Sequence, residues 1–473
     1  MYKSSVPLVK DLFPQPRSWS PKEVDCVVGL ANGDITPPIG IRAHNWGASR
    51  TGQGLGIHRP LRAGVVAILD PDGEWRYLIT IDLGWWQSID VFMSVFEPIS
   101  HAVVADRSHL LLHLVHTHAG PSLEESDSTL PGSELVEPYR QKLVESIIGL
   151  ISEAKRTAER STITWAYGKC DMAVIRDLPC GPRYILGFNP VARADDTVAV
   201  GRISSQNGNT TAVLVNYACH PTTLAHENAL ISPDFIGATR EVVEAATGAQ
   251  CFFYQGASGD LAPREQYTPG TDIVDRHGRT LGYAVLATLE NMGSPSTTLE
   301  YQGVVESGAP LAIWSEEPYQ PTTTLDFNLE EVRVKCRPQK TESELFEQWR
   351  DIDPLAARER LARAARLARG YDSGGWAQHP LWVWQLGDAF IVAHPGEAFS
   401  LLQTELRRRN PEVIVFVLNL TNGPGFMYLP PETAYRDDRY QVWQTLLLEG
   451  SLESVIEAAD SQIKKFSRKA LPS

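Results

Sequence analysis

The sequence predicts an α/β protein: a mixed sheet core with helices and added hairpins, in a single large catalytic domain. Three observations carry that expectation. Apolar runs of strand length alternate with longer segments of helical period. Turn signals at Asp70-Pro-Asp-Gly, Asn207-Gly-Asn and Gly387-Asp388 join runs into hairpins. The run His109–His118 is apolar without a break through its first half, as in a strand buried on both faces. At 473 residues and 43% hydrophobic content the chain can bury a large core, and no repeat or low-complexity linker divides it.

Residues 1–20 are polar and contain proline, and read as an arm preceding one domain over 21–473. Val24–Leu30 reads as a strand leading into the turn-rich loop 32–40. Ala63–Leu69 and Arg76–Leu83 form the first hairpin, and Ser88–Val104 a helix. The His109–His118 strand follows, then an amphipathic helix over Glu137–Glu159 and a strand over Ser161–Tyr167. Cys170–Ala194 reads as irregular. Thr197–Ile203 and Thr210–Cys219 pair over the Asn-Gly turn. Helices are expected over Phe235–Thr247 and Asp275–Glu290, with a short strand at Gln250–Tyr254 between them. Strands at Leu299–Glu306 and Leu325–Val334 precede one long charged helix over Glu342–Arg369, whose Ala-Arg-rich end reads as a solvated face. Trp382–Leu386 pairs with Ala389–Ala393; a helix over Ala398–Arg409 and a strand over Val413–Leu420 follow. Helical segments run to about Lys465.

A net charge of −14 without a basic run argues against a nucleic-acid partner. No stretch reaches membrane-helix length, and the N-terminus carries no apolar signal core, so a soluble, cytoplasmic protein is expected. Six cysteines without a Cys-x-x-Cys argue against a cysteine zinc site.

The chemistry gathers at strand ends. His116 and His118 stand two apart at the end of the buried run, so strand alternation would point both the same way, about 7 Å apart along the chain. One histidine there would be a cap; a His-x-His pair suggests a metal or catalytic site. His220 in Cys-His-Pro, Glu397 in His-Pro-Gly-Glu and the loop around Tyr428 repeat the pattern of an apolar run stopped by a Gly- or Pro-containing turn. Asp260, in Gly-Ala-Ser-Gly-Asp, is a fifth polar strand end. Two histidines and a carboxylate with one open position suit a catalytic zinc. The carboxylates of Asp34, Asp82, Asp234 and Asp260 leave room for magnesium or calcium as well.

These residues lie within an ordered set: Asp34-Ile-Thr-Pro, Gly56-Ile-His58-Arg59, His116-Thr-His-Ala-Gly-Pro121, Asn216-Tyr-Ala-Cys-His220-Pro, Leu230-Ile-Ser-Pro-Asp234, Gly259-Asp260, Pro395-Gly-Glu397, Tyr428-Leu-Pro-Pro-Glu-Thr-Ala-Tyr435, Tyr440 and Glu449-Gly-Ser451. In that order and spacing the chain resembles the neutral/alkaline (non-lysosomal) ceramidase family along its catalytic domain, without the usual C-terminal immunoglobulin-like domain. The resemblance implies a zinc held by His116, His220, Glu397 and Tyr428, with His118 and Arg176 on the substrate side. It also implies Tyr440 as donor to the developing oxyanion, and a small-molecule or lipid-like acyl-amide substrate.

One departure stands out. Where the family carries Gly-Asp-x-Ser-Pro-Asn with a nucleophilic serine, this chain reads Gly259-Asp-Leu-Ala262-Pro-Arg264. Alanine has no nucleophile, and Ser258 is a turn serine or a substitute. The expected activity is therefore zinc-dependent hydrolysis of a ceramide-like N-acyl bond by direct attack of metal-activated water, with Asp260 among the catalytic residues. An esterase or lactonase using the same zinc, or a non-catalytic ligand-binding protein on the same scaffold, remain as alternatives.

Overall fold

Long β-branched and aromatic runs cannot leave both faces in water, and here they stack into layers. The computed structural model describes residues 18–43, 45–49, 51–124, 129–368, 374–425 and 428–469. The larger sheet has eight strands: β1 (Lys22–Asp34), β2 (Arg62–Leu69), β3 (Trp75–Ile81), β4 (Leu110–Leu114), β5 (Glu159–Lys169), β6 (Thr197–Ser205), β7 (Thr210–Tyr217) and β8 (Gln250–Gln255). Their order is β8-β7-β6-β5-β1-β2-β3-β4, antiparallel except for the parallel pairs at the two edges, β7/β8 and β3/β4. A second, four-stranded sheet runs β9 (Leu325–Lys335), β10 (Trp376–Leu386), β11 (Ala389–Ala393), β12 (Ile414–Leu418), with β11 and β12 parallel.

The two sheets face each other across a core of large side chains, including Trp165, Phe252, Trp382, Trp384 and Phe416. Trp165 meets Phe416 edge-on at 5.0 Å between ring centroids, a favoured aromatic geometry. The outer face of the larger sheet is covered by α1 (Ile89–Val103) and α2 (Val136–Arg156) over one half, and by α3 (Phe235–Thr247) and α4 (Thr271–Glu290) over the other. The helix α2 lies so close to β1 that a Cβ at Gly29 would sit 1.9 Å from the Ala154 carbonyl oxygen, which only glycine permits. Beyond the second sheet lie α7 (Leu401–Arg409) and α9 (Ser451–Lys469). The result is a four-layer helix–sheet–sheet–helix arrangement, the mixed α/β fold that the sequence predicts.

The larger sheet curls until its edges meet. The Thr80 hydroxyl on β3 donates to the Phe253 carbonyl on β8 at 2.6 Å, and the Gln255 N–H donates to His113 Nε2 on β4 at 2.8 Å. This curl, with the parallel pairs, brings the C-terminal ends of β4, β7, β8, β11 and β12 to one place. Loops beyond the carboxyl ends of parallel strands are where α/β folds place their sites.

Several local expectations need correction. The strand expected over 109–118 stops at Leu114, because the chain leaves β3 there: Val115 N–H donates to Ile81 and His116 N–H to Leu83, and His116 takes the left-handed backbone (φ 75°). Strand alternation therefore does not explain how His116 and His118 point. The long helix expected over 342–369 is two helices, α5 (Glu342–Gln348) and α6 (Pro354–Ala368). Asp353 and Pro354 separate them: the Asp353 carboxylate accepts from Leu355 and Ala356 N–H as an N-cap, and proline starts α6 where no N–H is needed. The stretch 170–194 is less irregular than expected, forming short strands at Ala173–Ile175, Asp177–Cys180 and Arg183–Leu186. A strand at Leu311–Pro318, paired with Thr297–Val305, was not anticipated from its mixed polar pattern. Of the expected N-terminal arm, Ser18–Trp19 pairs with the other edge of Thr297–Val305, and residues 1–17 lie outside the described residues. No helix of the described residues is long and apolar enough to cross a membrane.

Candidate metal centre

Each histidine of the site is fixed from behind by a backbone carbonyl. His116 Nδ1 lies 2.9 Å from the Gly84 oxygen, and His220 Nδ1 2.7 Å from the Ser258 oxygen. A carbonyl only accepts, so each ring carries a proton on Nδ1 and turns its Nε2 inward. Burial, and then the nearby Arg176 cation, push His220 down to about 3, so its ring is neutral. The two Nε2 atoms stand 3.0 Å apart, and Glu397 Oε2 lies 3.3 Å from the first and 3.2 Å from the second. Two inward-facing imidazole nitrogens and a carboxylate oxygen thus converge, and Glu397 Oε2 has no hydrogen-bond donor among the described residues. Buried acceptors without donors are costly unless a cation satisfies them. Corners of a tetrahedron about 2.0–2.1 Å from a zinc ion stand about 3.3 Å apart, so the donor set and its spacing fit zinc.

His118 joins the same group. One nitrogen from each of His116, His118 and His220 lies within 4.8 Å of the others. Its ring sits between Trp46 at 5.0 Å and Trp85 at 5.3 Å, and neither ring nitrogen has a hydrogen-bond partner among the described residues. Burial holds His118 well below the usual histidine range. The His-Thr-His-Ala-Gly-Pro loop is anchored on both sides: Thr117 Oγ1 donates to the Ser232 carbonyl, and Asn45 Nδ2 to the Gly120 carbonyl.

Glu397 and Tyr428 meet through the backbone, paired in a short parallel ladder of Glu397–Ala398 with Tyr428–Leu429. Gly259 allows that ladder to close against the Gly-Asp turn, since a Cβ there would lie 2.9 Å from the Glu397 and Ala398 carbonyl oxygens. Arg176, 3% exposed, donates Nε and Nη2 to the Gly259 carbonyl at 3.2 and 2.8 Å, and Nη2 to the Tyr428 hydroxyl at 3.1 Å. Burial, and next the Glu397 carboxylate, raise the Tyr428 phenol well above its ordinary value, with Arg176 opposing. The Tyr428 ring lies 5.6 Å from the Tyr440 ring. Tyr440 is half-buried at the start of the short helix α8 (Tyr440–Gln444), and its hydroxyl accepts from Arg363 Nη1 at 2.8 Å.

The remaining expected residues sit just behind this group. The Asp260 carboxylate accepts from the Ser400 N–H at 2.7 Å and the Ser400 hydroxyl at 2.8 Å, which ties the Gly-Asp turn to the start of α7. Burial pushes its carboxyl up to about 6. Ser258 Oγ accepts from Gln255 Nε2 at 2.6 Å, and Ala262 is fully buried on a ladder with Ala173–Ile175. Asp82 is paired with Arg240, Asp234 caps α3, and Asp34 accepts from the Thr36 N–H. His58 lies against Ser232 and Asp275, on the side of α4.

Sequence reasoning missed Arg363 altogether. The face of α6 that was expected to be solvated instead directs Arg363 and Glu359 into a crevice shared with Trp85, Gln87 and Glu397. The only signal available was the Asp-Pro pair, which begins a new helix and so changes which face of the Ala-Arg run turns inward.

No protein-family model matches the chain, and no curated protein does either. Solved structures share its fold, among them two ceramidases. The neutral ceramidase from Pseudomonas aeruginosa superposes with a TM-score of 0.66 at 15% identity, over 96% of this chain and 76% of that one. A ceramidase complexed with C2 gives 0.65 at 16% identity, with the same coverage of both chains.

Proposed function

We propose that the protein is a zinc-dependent hydrolase of an amide bond in a small or lipid-like N-acyl substrate. The observation that carries this reading is the convergence of His116 Nε2, His220 Nε2 and Glu397 Oε2 at 3.0–3.3 Å. In the reading, those three residues and Tyr428 hold the metal. Zinc bound there would act as a Lewis acid and bring the pKa of water to about 7.

The chain's own residues supply the rest. His118, with both ring nitrogens unpartnered and its ring held between two indoles, is placed to take a proton from the attacking water and pass it to the leaving amine. Tyr440 donates its hydroxyl proton to the acyl oxygen as charge develops there, a contribution of about 3 kcal/mol for a donor of this kind. Arg176 holds Tyr428 and the Gly259 carbonyl in place. Asp260, bound to Ser400, orients the turn that carries Glu397 instead of touching substrate. Direct attack by water needs no serine, which accommodates Ala262.

The test is metal content by elemental analysis of the wild type and His220→Ala, followed by a panel of N-acyl amides and matched esters. About one zinc per chain, lost in the variant, with amide turnover, is the expected result. Well-folded wild type without zinc would overturn the reading. Ester turnover alone would move the chemistry to an esterase. Because Ala262 removes the family's nucleophile, binding of an N-acyl amide without turnover would favour the ligand-binding alternative.

A further inference from the structure

The segment between β9 and β10 carries α5 and α6, and α6 brings an arginine to the site from a direction that none of the strand ends supplies. The Arg363 side chain is 17% exposed despite its charge. Its Nη1 donates to the Tyr440 hydroxyl oxygen at 2.8 Å, its Nη2 reaches Glu359 at 3.4 Å, and its guanidinium lies 5.8 Å from the centre of the Trp85 ring. The Tyr440 ring is fixed in turn by Trp443, edge-on at 4.9 Å, and by Tyr428 at 5.6 Å.

A phenol oxygen has one proton to give, and guanidinium nitrogens cannot accept. With Arg363 filling an acceptor position on that oxygen, the Tyr440 O–H cannot point at Arg363. It must point elsewhere, and the fixed ring restricts it to directions near the ring plane. We propose that Arg363 is a positioning residue: it occupies the Tyr440 hydroxyl oxygen and thereby aims the Tyr440 O–H at the acyl oxygen of a bound ligand in the crevice beside Glu397. The assignment of an acyl ligand rests on the hydrolase reading; the arginine–phenol coupling does not. Glu359 sets the guanidinium plane, and the fixed positive charge favours an anionic oxygen on the far side of the phenol.

The experiment uses the full-length protein and hexanoate, a simple acyl carboxylate, as the binding probe. Its dissociation constant is measured by calorimetry for wild type, Arg363→Met, Arg363→Lys, Tyr440→Phe and the Arg363→Met/Tyr440→Phe pair, with zinc content and melting temperature recorded for each. Loss of a charge-assisted hydrogen-bond network of this kind is expected to weaken hexanoate about tenfold in Arg363→Met and in Tyr440→Phe. The double variant should be no weaker than either single one, since both remove the same aimed donor, and Arg363→Lys should recover part of the affinity. A merely structural arginine would instead lower the melting temperature, and its effect would multiply with that of Tyr440→Phe.

Unchanged binding in Arg363→Met, multiplicative losses in the double variant, or no hexanoate binding by wild type would each overturn the proposal. If Arg363→Met alone melts early, Arg363→Lys against Tyr440→Phe carries the same comparison. Non-additive binding in a protein that holds no zinc would retain the positioning role while the hydrolase reading falls.

Discussion

Two groups of buried histidines lie close together and have opposite proton arithmetic. In the second sheet, His379 Nε2 faces His394 Nδ1 at 3.3 Å, and His394 Nε2 faces Asn419 Oδ1 at 2.8 Å. On β4, His113 Nε2 accepts from the Gln255 N–H while its Nδ1 faces the Thr421 hydroxyl at 3.2 Å. His113 and His394 can each give one proton and accept one, as a neutral imidazole requires, while His379 has a partner only at Nε2 among the described residues. At His116 and His220 each Nδ1 gives a proton outward to a carbonyl, and the Nε2 atoms turn inward toward each other and Glu397. Burial is the same in the two groups: all five rings are at most 2% exposed. Residue type and burial therefore do not separate the two groups; the direction of the Nδ1 hydrogen bond does.

The largest break in this comparison comes from removing an inward acceptor. On the hydrolase reading, His116→Ala or Glu397→Gln should lose bound zinc and reduce turnover by more than about a thousandfold, since a zinc held there would supply several kcal/mol to the transition state. Elemental analysis and the amide assay measure both. His394→Asn, equally buried, should keep its zinc. Retained zinc in His116→Ala would dissolve the distinction between the groups.

Acid should act on the structural group through stability. Burial holds His113 down to about 3 and His394 down to about 4, against about 6.5 in the unfolded chain. Between those values the unfolded state binds more protons, so stability is full above pH 6.5 and falls as the pH drops toward 4. Each histidine should contribute about 2 kcal/mol of loss between pH 7 and pH 5. Urea denaturation at several pH values measures the slope. His394→Asn should remove its own share, about 2 kcal/mol between pH 7 and pH 5, and an unchanged slope would mean that the ring is already protonated in the fold.

At neutral pH the same substitution has a smaller effect. His394→Asn leaves the Gly396 N–H and Asn419 Oδ1 without their present partner, a cost of about 2 kcal/mol. His113→Asn should behave alike by releasing the Gln255 N–H that joins the two sheet edges. Thermal unfolding of the two variants compares them directly.

What the sequence made legible follows the same division. The sheet strands and their hairpins could be read because alternation and turn chemistry are local; Ala63–Leu69 and Thr210–Cys219 lie within two or three residues of the observed β2 and β7. The residue types at strand ends pointed to His116, His220 and Glu397, and the structure brings these together. The directions of the side chains were not legible. His116 faces the site because its backbone turns left-handed after β4, which no periodicity records. Arg363 was invisible because helix period alone could not show that Asp353-Pro354 starts a separate helix, nor which side of it is covered. The curl of the larger sheet, which makes five strand ends meet, depends on contacts as distant in sequence as Thr80 with Phe253.

The smallest expected effect concerns Ser258, a hydroxyl in the turn that precedes Ala262. Its oxygen already accepts a hydrogen bond from Gln255, and its carbonyl holds His220, a contact that any residue at 258 would keep. Ser258→Ala removes only the first of these, so it should cost about 1 kcal/mol of stability and change turnover by no more than about threefold. The comparison with Glu397→Gln is then between a residue that supports a ligand through its backbone and one that supplies a ligand through its side chain. A thousandfold loss in Ser258→Ala at unchanged zinc content would make this hydroxyl the nucleophile and exclude direct attack by water. A loss within threefold leaves the inward-facing acceptors of His116, His220 and Glu397 as the source of the chemistry.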